Sequence, residues 1–310
     1  MKYSQFNRRQ VLQGLAVSGC ASLWGAPVSG AAKSPLDVQK LTSRLHLISG
    51  AGGNVVLYSG EDASTLIDTG SRGHANDLIS LVSDLNDGKP VTTVFNTHWH
   101  GGHTGGNEVF KAEGARILAH ENTRLWMTAD FDIEWRGTSI TPRPAAALPD
   151  ETFYFSGQQE LGNESIDYLH YVQAHTDGDL AMHFPDSNVL VTGGLLKVDT
   201  YPVCDTATGG WIGGLIPANE AMLALCDDDT IIVPDQGPAV DKSALQKQHD
   251  MLVDLYELMK ELARKGYSGQ DMLDEGITKQ YDTDHGDPTE FVLETYRGMW
   301  AHSRDMGGFI

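Results

Sequence analysis

The chain has 310 residues, 40% of them hydrophobic and 21% charged, and its 42 acidic against 22 basic residues give a formal net charge of −20. That length can bury a sizeable core, as one large domain or two modest ones. The acidic balance argues against nucleic acid or an anionic membrane as a partner. It selects no ligand by itself, because a solvated soluble surface explains it equally well.

Residues 1–32 read as an export signal outside the fold. Asn7-Arg8-Arg9-Gln10-Val11-Leu12-Gln13 is a twin-arginine pattern, a weakly apolar stretch runs from Val11 to Trp24, and Ser29-Gly30-Ala31-Ala32 offers a cleavage site. The expected location is therefore periplasmic; the alternative is a frayed cytosolic tail. Val17-Ser18-Gly19-Cys20 also fits a lipobox, so lipid anchoring at Cys20 is a second processing route. Removal of the signal takes three basic residues and no acid, leaving a net charge of −23 on the mature chain. No other stretch approaches the about 18 apolar residues that a membrane span needs. Cys204 and Cys226 then remain, and free buried thiols are expected for them over a disulfide.

Three short strands open the mature chain at Ser43–Ile48, Asn54–Ser59 and Ser64–Asp68, separated by glycine-containing breaks. Ala75–Leu85 has helical spacing, with Leu78, Ile79, Val82 and Leu85 on one face. Val91–Phe95 reads as a buried strand, a helix begins within Gly105–Phe110, Arg116–Ala119 is a strand and Glu121–Thr128 a short helix. A proline-rich connection from Thr141 to Pro149 precedes a second strand set at Thr152–Phe155, Ser165–Tyr171, Leu180–His183 and Asn188–Val191. Gly210–Leu225 is helical, Thr230–Val233 a strand, and Lys242–Arg264 a long amphipathic helix. Helices near Gly269–Glu275 and Thr289–His302 end the chain. Two mixed β/α halves fit two sheets packed face to face with helices outside. Residues 33–310 are expected to form one domain, with a C-terminal helical extension over about 241–310.

At the end of the strand Val91–Phe95 lies Thr97-His98-Trp99-His100-Gly101-Gly102-His103-Thr104-Gly105-Gly106. Histidines at i, i+2 and i+5 in a glycine-rich turn suit a metal loop, because imidazole is the commonest protein ligand for zinc and glycines let the backbone fold tightly. This run resembles the His-x-His-x-Asp-His signature of the metallo-β-lactamase superfamily, with Gly102 where the family has aspartate. Other elements recur in family order. Leu66-Ile67-Asp68-Thr69-Gly70 is similar to the strand end whose aspartate supports the metal loop. Ala174-His175-Thr176-Asp177-Gly178-Asp179 resembles the element supplying a lone histidine. Val191-Thr192-Gly193-Gly194-Leu195 stands where the family has a bridging aspartate, and Pro234-Asp235-Gln236-Gly237-Pro238 where it has Gly-His-Gly-Pro. The phrases around Ala119–Thr123 and Tyr201-Pro202 are similar to the broad hydrolase branch and not to the antibiotic-degrading ones.

The resemblance covers about residues 45–238 and implies an α/β, four-layer αββα sandwich. It implies a first metal site that keeps His98, His100 and His175, and a second that keeps only His103. Gly102, Gly194 and Gln236 mark the three lost ligand positions, and Asp68 supports the loop from behind. Three imidazoles with an open fourth position are the ligand set of a catalytic zinc, which binds water and lowers its pKa to about 7. The expected protein is a hydrolase with one zinc and a small-molecule substrate, in which zinc-bound hydroxide attacks an ester, thioester, lactone or amide. Asp177, Asp179, Asp199 and Asp205 are the carboxylates that could replace the missing one. Two alternatives stay open: a catalytically silent binding or scaffold protein whose histidines hold no metal, and a two-metal enzyme using Asp205 or Cys204. His120 is expected to cap a helix, and Trp99 and Trp211 either line a cleft or fill the core.

Overall fold

In the computed structural model, which describes residues 36–304, alternate side chains of single strands enter different cores. Val56 and Tyr58 of the strand Val55–Ser59 join one buried cluster, whereas Val55 and Leu57 join another. Strand side chains alternate between faces, so such a strand lies in a sheet covered on both sides.

The first half runs through β1 (Asp37–Lys40), β2 (Leu45–Ser49), β3 (Val55–Ser59), β4 (Ser64–Ile67), α1 (Ala75–Leu85) and β5 (Val91–Phe95). It continues with α2 (Gly101–Thr104), α3 (Asn107–Ala112), β6 (Arg116–His120) and α4 (Glu121–Thr128). A hairpin of β7 (Phe131–Ile133) and β8 (Thr138–Ile140) precedes β9 (Glu151–Phe153). The second half comprises β10 (Gly157–Glu160), β11 (Ser165–Tyr171), β12 (Asp179–Phe184), β13 (Val189–Val191), α5 (Ile212–Leu225) and β14 (Ile231–Val233). The helices α6 (Lys242–Arg264), α7 (Gly269–Asp274), α8 (Asp282–His285) and α9 (Thr289–Ala301) follow.

One sheet has the order β1-β2-β3-β4-β5-β6-β9 and the other β10-β11-β12-β13-β14. Between them lies a core to which the first sheet gives Leu47, Val56, Ile67, Phe95 and Leu118, and the second Leu180, Met182, Phe184, Val189 and Val233. The outer face of the first sheet packs on α1 and α3 through Leu78, Val82 and Phe110. Ala181, Leu190 and Ile232, on the outer face of the second sheet, pack beneath α5, α6 and α9. The result is the expected αββα order. Helix α6 begins where the Asp241 carboxylate accepts the Ser243 N–H at 2.9 Å, satisfying a donor that the helix itself cannot.

Several elements depart from the sequence expectation. The polar strands β1 and β10 and the β7–β8 hairpin carry little apolar alternation, yet they form as edge strands or as an appended ribbon. The helix expected from Gly105 begins earlier, at Gly101, and resumes at Asn107. Cys204 and Cys226 are free and buried. The segment expected to be an export signal, with Cys20, lies outside the described residues, and among the described residues no helix is long and apolar enough to cross a membrane.

The parallel strands β4, β5, β13 and β14 all end at one edge of the sandwich. Their C-terminal connections carry Asp68, the histidine run, the Gly193–Lys197 segment and Asp235, so the topology gathers sequence-distant polar residues there. Phe184 is fully buried between the sheets and stacks on Tyr58 at 6.1 Å. Replacing it with alanine leaves a cavity in a close-packed layer, and urea denaturation should register a loss of about 3–5 kcal/mol.

Candidate metal centre

The site is assembled from behind by a buried carboxylate. Asp68 follows β4 with φ of 64°, an uncommon conformation for a residue with a side chain. Its Oδ1 accepts the Thr97 N–H at 2.8 Å, and its Oδ2 accepts the Thr97 hydroxyl at 2.7 Å and lies 2.7 Å from His103 Nδ1. The loop after β5 is therefore fastened at both ends of the His98–His103 run.

His98, His100 and His175 converge, each offering a nitrogen within 4.8 Å of the others. Their ring centroids stand 4.7, 5.0 and 4.9 Å apart, with interplanar angles of 85°, 87° and 85°. Edge-to-face packing of this kind is common between rings; what marks this trio is the convergence of one nitrogen from each ring. Each outward nitrogen has an acceptor. His98 Nδ1 lies 3.0 Å from the Thr97 hydroxyl, which itself donates to Asp68. His100 Nε2 lies 3.1 Å from Asp205 Oδ2, and His175 Nδ1 lies 2.8 Å from the Val203 carbonyl. With the ring protons directed outward, His98 Nε2, His100 Nδ1 and His175 Nε2 present lone pairs inward. His175 Nε2 and His100 Nδ1 face each other at 3.1 Å. Two lone pairs at that separation repel unless a cation lies between them, so this donor set fits a bound zinc.

Burial favours the same state. It lowers the pKa of His98 well below the ordinary histidine value, aided by the neighbouring His103 and His100. It takes His175 down to about 3, with His100 adding to the effect. Burial lowers His100 as well, although Asp205 opposes it. The trio is neutral near pH 7, the form that binds metal.

His103 stands in a second cluster with His98 and Asp235. Its Nδ1 meets Asp68 and its Nε2 meets Asp235 Oδ1 at 2.9 Å. Burial alone would depress its pKa, but the charges of Asp68 and Asp235 prevail and raise it to about 10. Asp235 Oδ2 is paired with the Lys197 ammonium. Burial would raise the Asp235 carboxyl, and Lys197 and His103 instead hold it far below the usual range.

With the family's ligand positions around it altered, His103 is held instead by two carboxylates, Asp68 and Asp235. Gln236 is exposed, and the preceding residue, Asp235, turns into the cluster, 2% exposed. The two other altered positions differ from each other. A Cβ on Gly102 would meet nothing nearer than Gly53 N at 3.5 Å, whereas one on Gly194 would lie 2.2 Å from His175 Cδ2. The His175 ring fills the space that a side chain at 194 would need.

Of the replacement carboxylates expected from sequence, Asp205 meets the trio through the His100 ring. It is fully buried, also accepts from Thr208, and pairs with Arg136 Nη1 at 3.0 Å. Burial would raise its pKa, but His100 and Arg136 bring it down to about 2. Asp177 accepts from Trp126 Nε1 at 2.6 Å, and Asp179 accepts from the Thr176 backbone and hydroxyl, fixing the turn beside His175. Burial pushes Asp179 up to about 8. Asp199 is exposed. Burial also pushes the Cys204 thiol up, which disfavours the thiolate form that attacks or binds metal. Trp99 is core, donating to Thr208, and Trp211 precedes α5 and stacks on His302.

Lys197, Asp235, Arg136 and Glu294 are absent from the sequence expectation. Arg136 lies beside the unforeseen hairpin and bonds Glu294 of α9 through Nε at 3.1 Å, so the C-terminal helix supports Asp205 at one remove. Asp235 sits one residue before the position suggested by the motif, which was the available signal.

A family model described as the metallo-β-lactamase superfamily matches residues 49–246. A hydroxyacylglutathione hydrolase of Erythrobacter litoralis (strain HTCC2594) is 25% identical over 107 residues, so the match spans 34% of this chain and 34% of that relative. Among solved structures, a metallo-β-lactamase from Pontibacter korlensis is similar with a TM-score of 0.57 at 21% identity, covering 71% of this chain and 100% of that one. The DIM-1 metallo-β-lactamase is similar with a TM-score of 0.56 at 16% identity, covering 71% and 98%. Likeness at these identities concerns the fold.

His120 caps α4, its Nδ1 accepting the Asn122 N–H at 3.2 Å, and its ring stacks on His170 at 3.8 Å. Burial, reinforced by His170, lowers its pKa to about 4. The unfolded chain therefore binds this proton more readily, and stability present above about pH 6.5 is lost as pH falls toward 4. Urea denaturation across that range should show a shallower loss in His120→Gln than in the wild type.

Proposed function

The chain belongs to the metallo-β-lactamase superfamily, and on that premise we propose that it is an exported hydrolase holding one zinc ion on His98, His100 and His175. The observation that carries this reading is the division of labour within each ring: the outward nitrogen is fixed by Thr97, Asp205 or Val203, and the inward nitrogen is left for metal. When bound there, zinc lowers the pKa of a water molecule and polarises a carbonyl oxygen. The substrate class is an ester, thioester, lactone or amide. The hydroxyacylglutathione hydrolase relative supports the hydrolytic kind of chemistry over the third of the chain that it matches. The twin-arginine pattern at Arg8-Arg9 supports passage to the periplasm.

The chain's own residues set the geometry. Asp205 keeps His100 in the tautomer that turns Nδ1 inward, and Arg136 keeps Asp205 ionised and aimed. The Val203 carbonyl does the same for His175. Asp68 acts on the loop and not on the inward nitrogens, tying Thr97 and His103 to the end of β4.

Elemental analysis of the full chain, expressed with its export signal and supplemented with zinc, should return close to one zinc per chain. Chelators should abolish hydrolysis of activated esters. Much less than one zinc, with no chelator-sensitive hydrolysis, would overturn the reading in favour of a silent binding protein. Asp205→Asn should retain the fold by circular dichroism and weaken zinc affinity by about 10- to 100-fold in competition with a chromogenic chelator.

A further inference from the structure

The second cluster contains residues of metal-ligand type, but its charges are already balanced within the chain. Asp235 has both carboxylate oxygens committed, Oδ1 to His103 Nε2 and Oδ2 to the Lys197 ammonium. His103 has both ring nitrogens committed, one to Asp68 and one to Asp235. A divalent ion entering here would have to displace the ammonium from Asp235 and take a ring nitrogen from a carboxylate.

The lysine is held in place by buried structure. Its backbone N–H donates to Gln248 Oε1 at 2.9 Å, and Gln248 Nε2 donates to the Leu195 carbonyl at 2.7 Å and to Asn219 Oδ1 at 2.8 Å. Asn219 Nδ2 also donates to the Leu195 carbonyl, at 3.1 Å. Gln248 and Asn219 are 2% and 0% exposed. Two amides from α6 and α5 thus grip the segment from Leu195 to Lys197. Across from it, the Asp235 N–H donates to the Leu196 carbonyl at 3.0 Å. The ammonium and its carboxylate are therefore brought together by backbone on both sides, and the Lys197 side chain is 20% exposed.

We propose that Lys197 is a built-in cation occupying the role of a second metal ion: its ammonium neutralises Asp235 and bars a divalent ion from the His98, His103 and Asp235 cluster. This deepens the single-zinc reading and rests on it for the occupancy of the first cluster. A fixed monovalent charge also leaves His98 committed to the first cluster, although its ring takes part in both groups. Gly194 reinforces the arrangement, because the His175 ring excludes a bridging carboxylate from that position. Gly102 does not, since a Cβ added there meets nothing nearer than Gly53 N at 3.5 Å.

That asymmetry supplies the experiment. The full chain is compared as wild type, Gly102→Asp, Gly102→Asp with Lys197→Met, and Gly102→Asp with Lys197→Arg. Each is dialysed to equilibrium against the same buffered zinc and analysed for metal. Gly102→Asp alone should match the wild type, since a new carboxylate does not remove the ammonium. Adding Lys197→Met should raise the content by one zinc per chain, and adding Lys197→Arg, which keeps the charge, should not. Equal zinc in the first two Gly102→Asp proteins overturns the proposal, and so does an extra zinc in Gly102→Asp with Lys197 intact. If Lys197→Met impairs folding by circular dichroism, Lys197→Gln in the same background carries the same expectation. The wild-type value tests the single-zinc reading separately. A wild type without zinc, with a gain on removal of Lys197, would refute that reading and leave the role of the lysine standing.

Discussion

The site depends on one buried carboxylate and the strand geometry behind it. Asp68 follows β4, whose parallel partner β5 ends beside it, and the Asp68 N–H donates to the Phe95 carbonyl at 2.7 Å. From there one side chain holds Thr97 by backbone and hydroxyl and His103 by its ring. A carboxylate that accepts several bonds in a dry interior replaces its lost hydration, and the loop gains a fixed shape in exchange. The positive φ of Asp68 turns the side chain into this position, a local strain retained where it organises a site.

Charge is distributed with the same economy of means. The first cluster is neutral imidazole, with the negative charge of Asp205 placed behind His100 and matched by Arg136. In the second cluster, two carboxylates are matched by the His103 ring and Lys197. Unpaired charges at this depth would be strongly destabilising, so each has a partner within the fold. His98 lies between a cluster prepared to receive a cation and one that already contains the charge. This division is where the chain departs most from the two-metal pattern that its signature loop resembles.

Much of the fold was legible because its central strands and helices carry strong apolar patterns. Ala75–Leu85, Val91–Phe95, Ser165–Tyr171 and Lys242–Arg264 form with the boundaries read from sequence. The strands β1 and β10 were not legible: Asp-Val-Gln-Lys and Gly-Gln-Gln-Glu at sheet edges have little to bury, and their pairing partners determine them. The hairpin around Arg136 is similarly short, so its link to Asp205 and Glu294 emerges only in three dimensions. Within the site, the spacing of His98, His100 and His103 is local and readable, and the motif around His175 places it in order. The contact between His103 and Asp235 is tertiary. After β14, a shift of one residue determines whether Asp235 or Gln236 faces inward, and a motif without its histidine does not fix that register. Lys197 had no sequence signal, because a lysine two residues after a buried strand-end turn resembles any surface lysine until its carboxylate partner is seen.

The central claim is that one imidazole cluster receives a divalent ion and the adjoining cluster does not. Diffraction from crystals of the zinc-supplemented wild-type protein, recorded on both sides of the zinc absorption edge, tests it most directly. The account predicts one anomalous peak per chain, within ligand distance of His98 Nε2, His100 Nδ1 and His175 Nε2. A second peak between His103 and Asp235, or none at the trio, would contradict it.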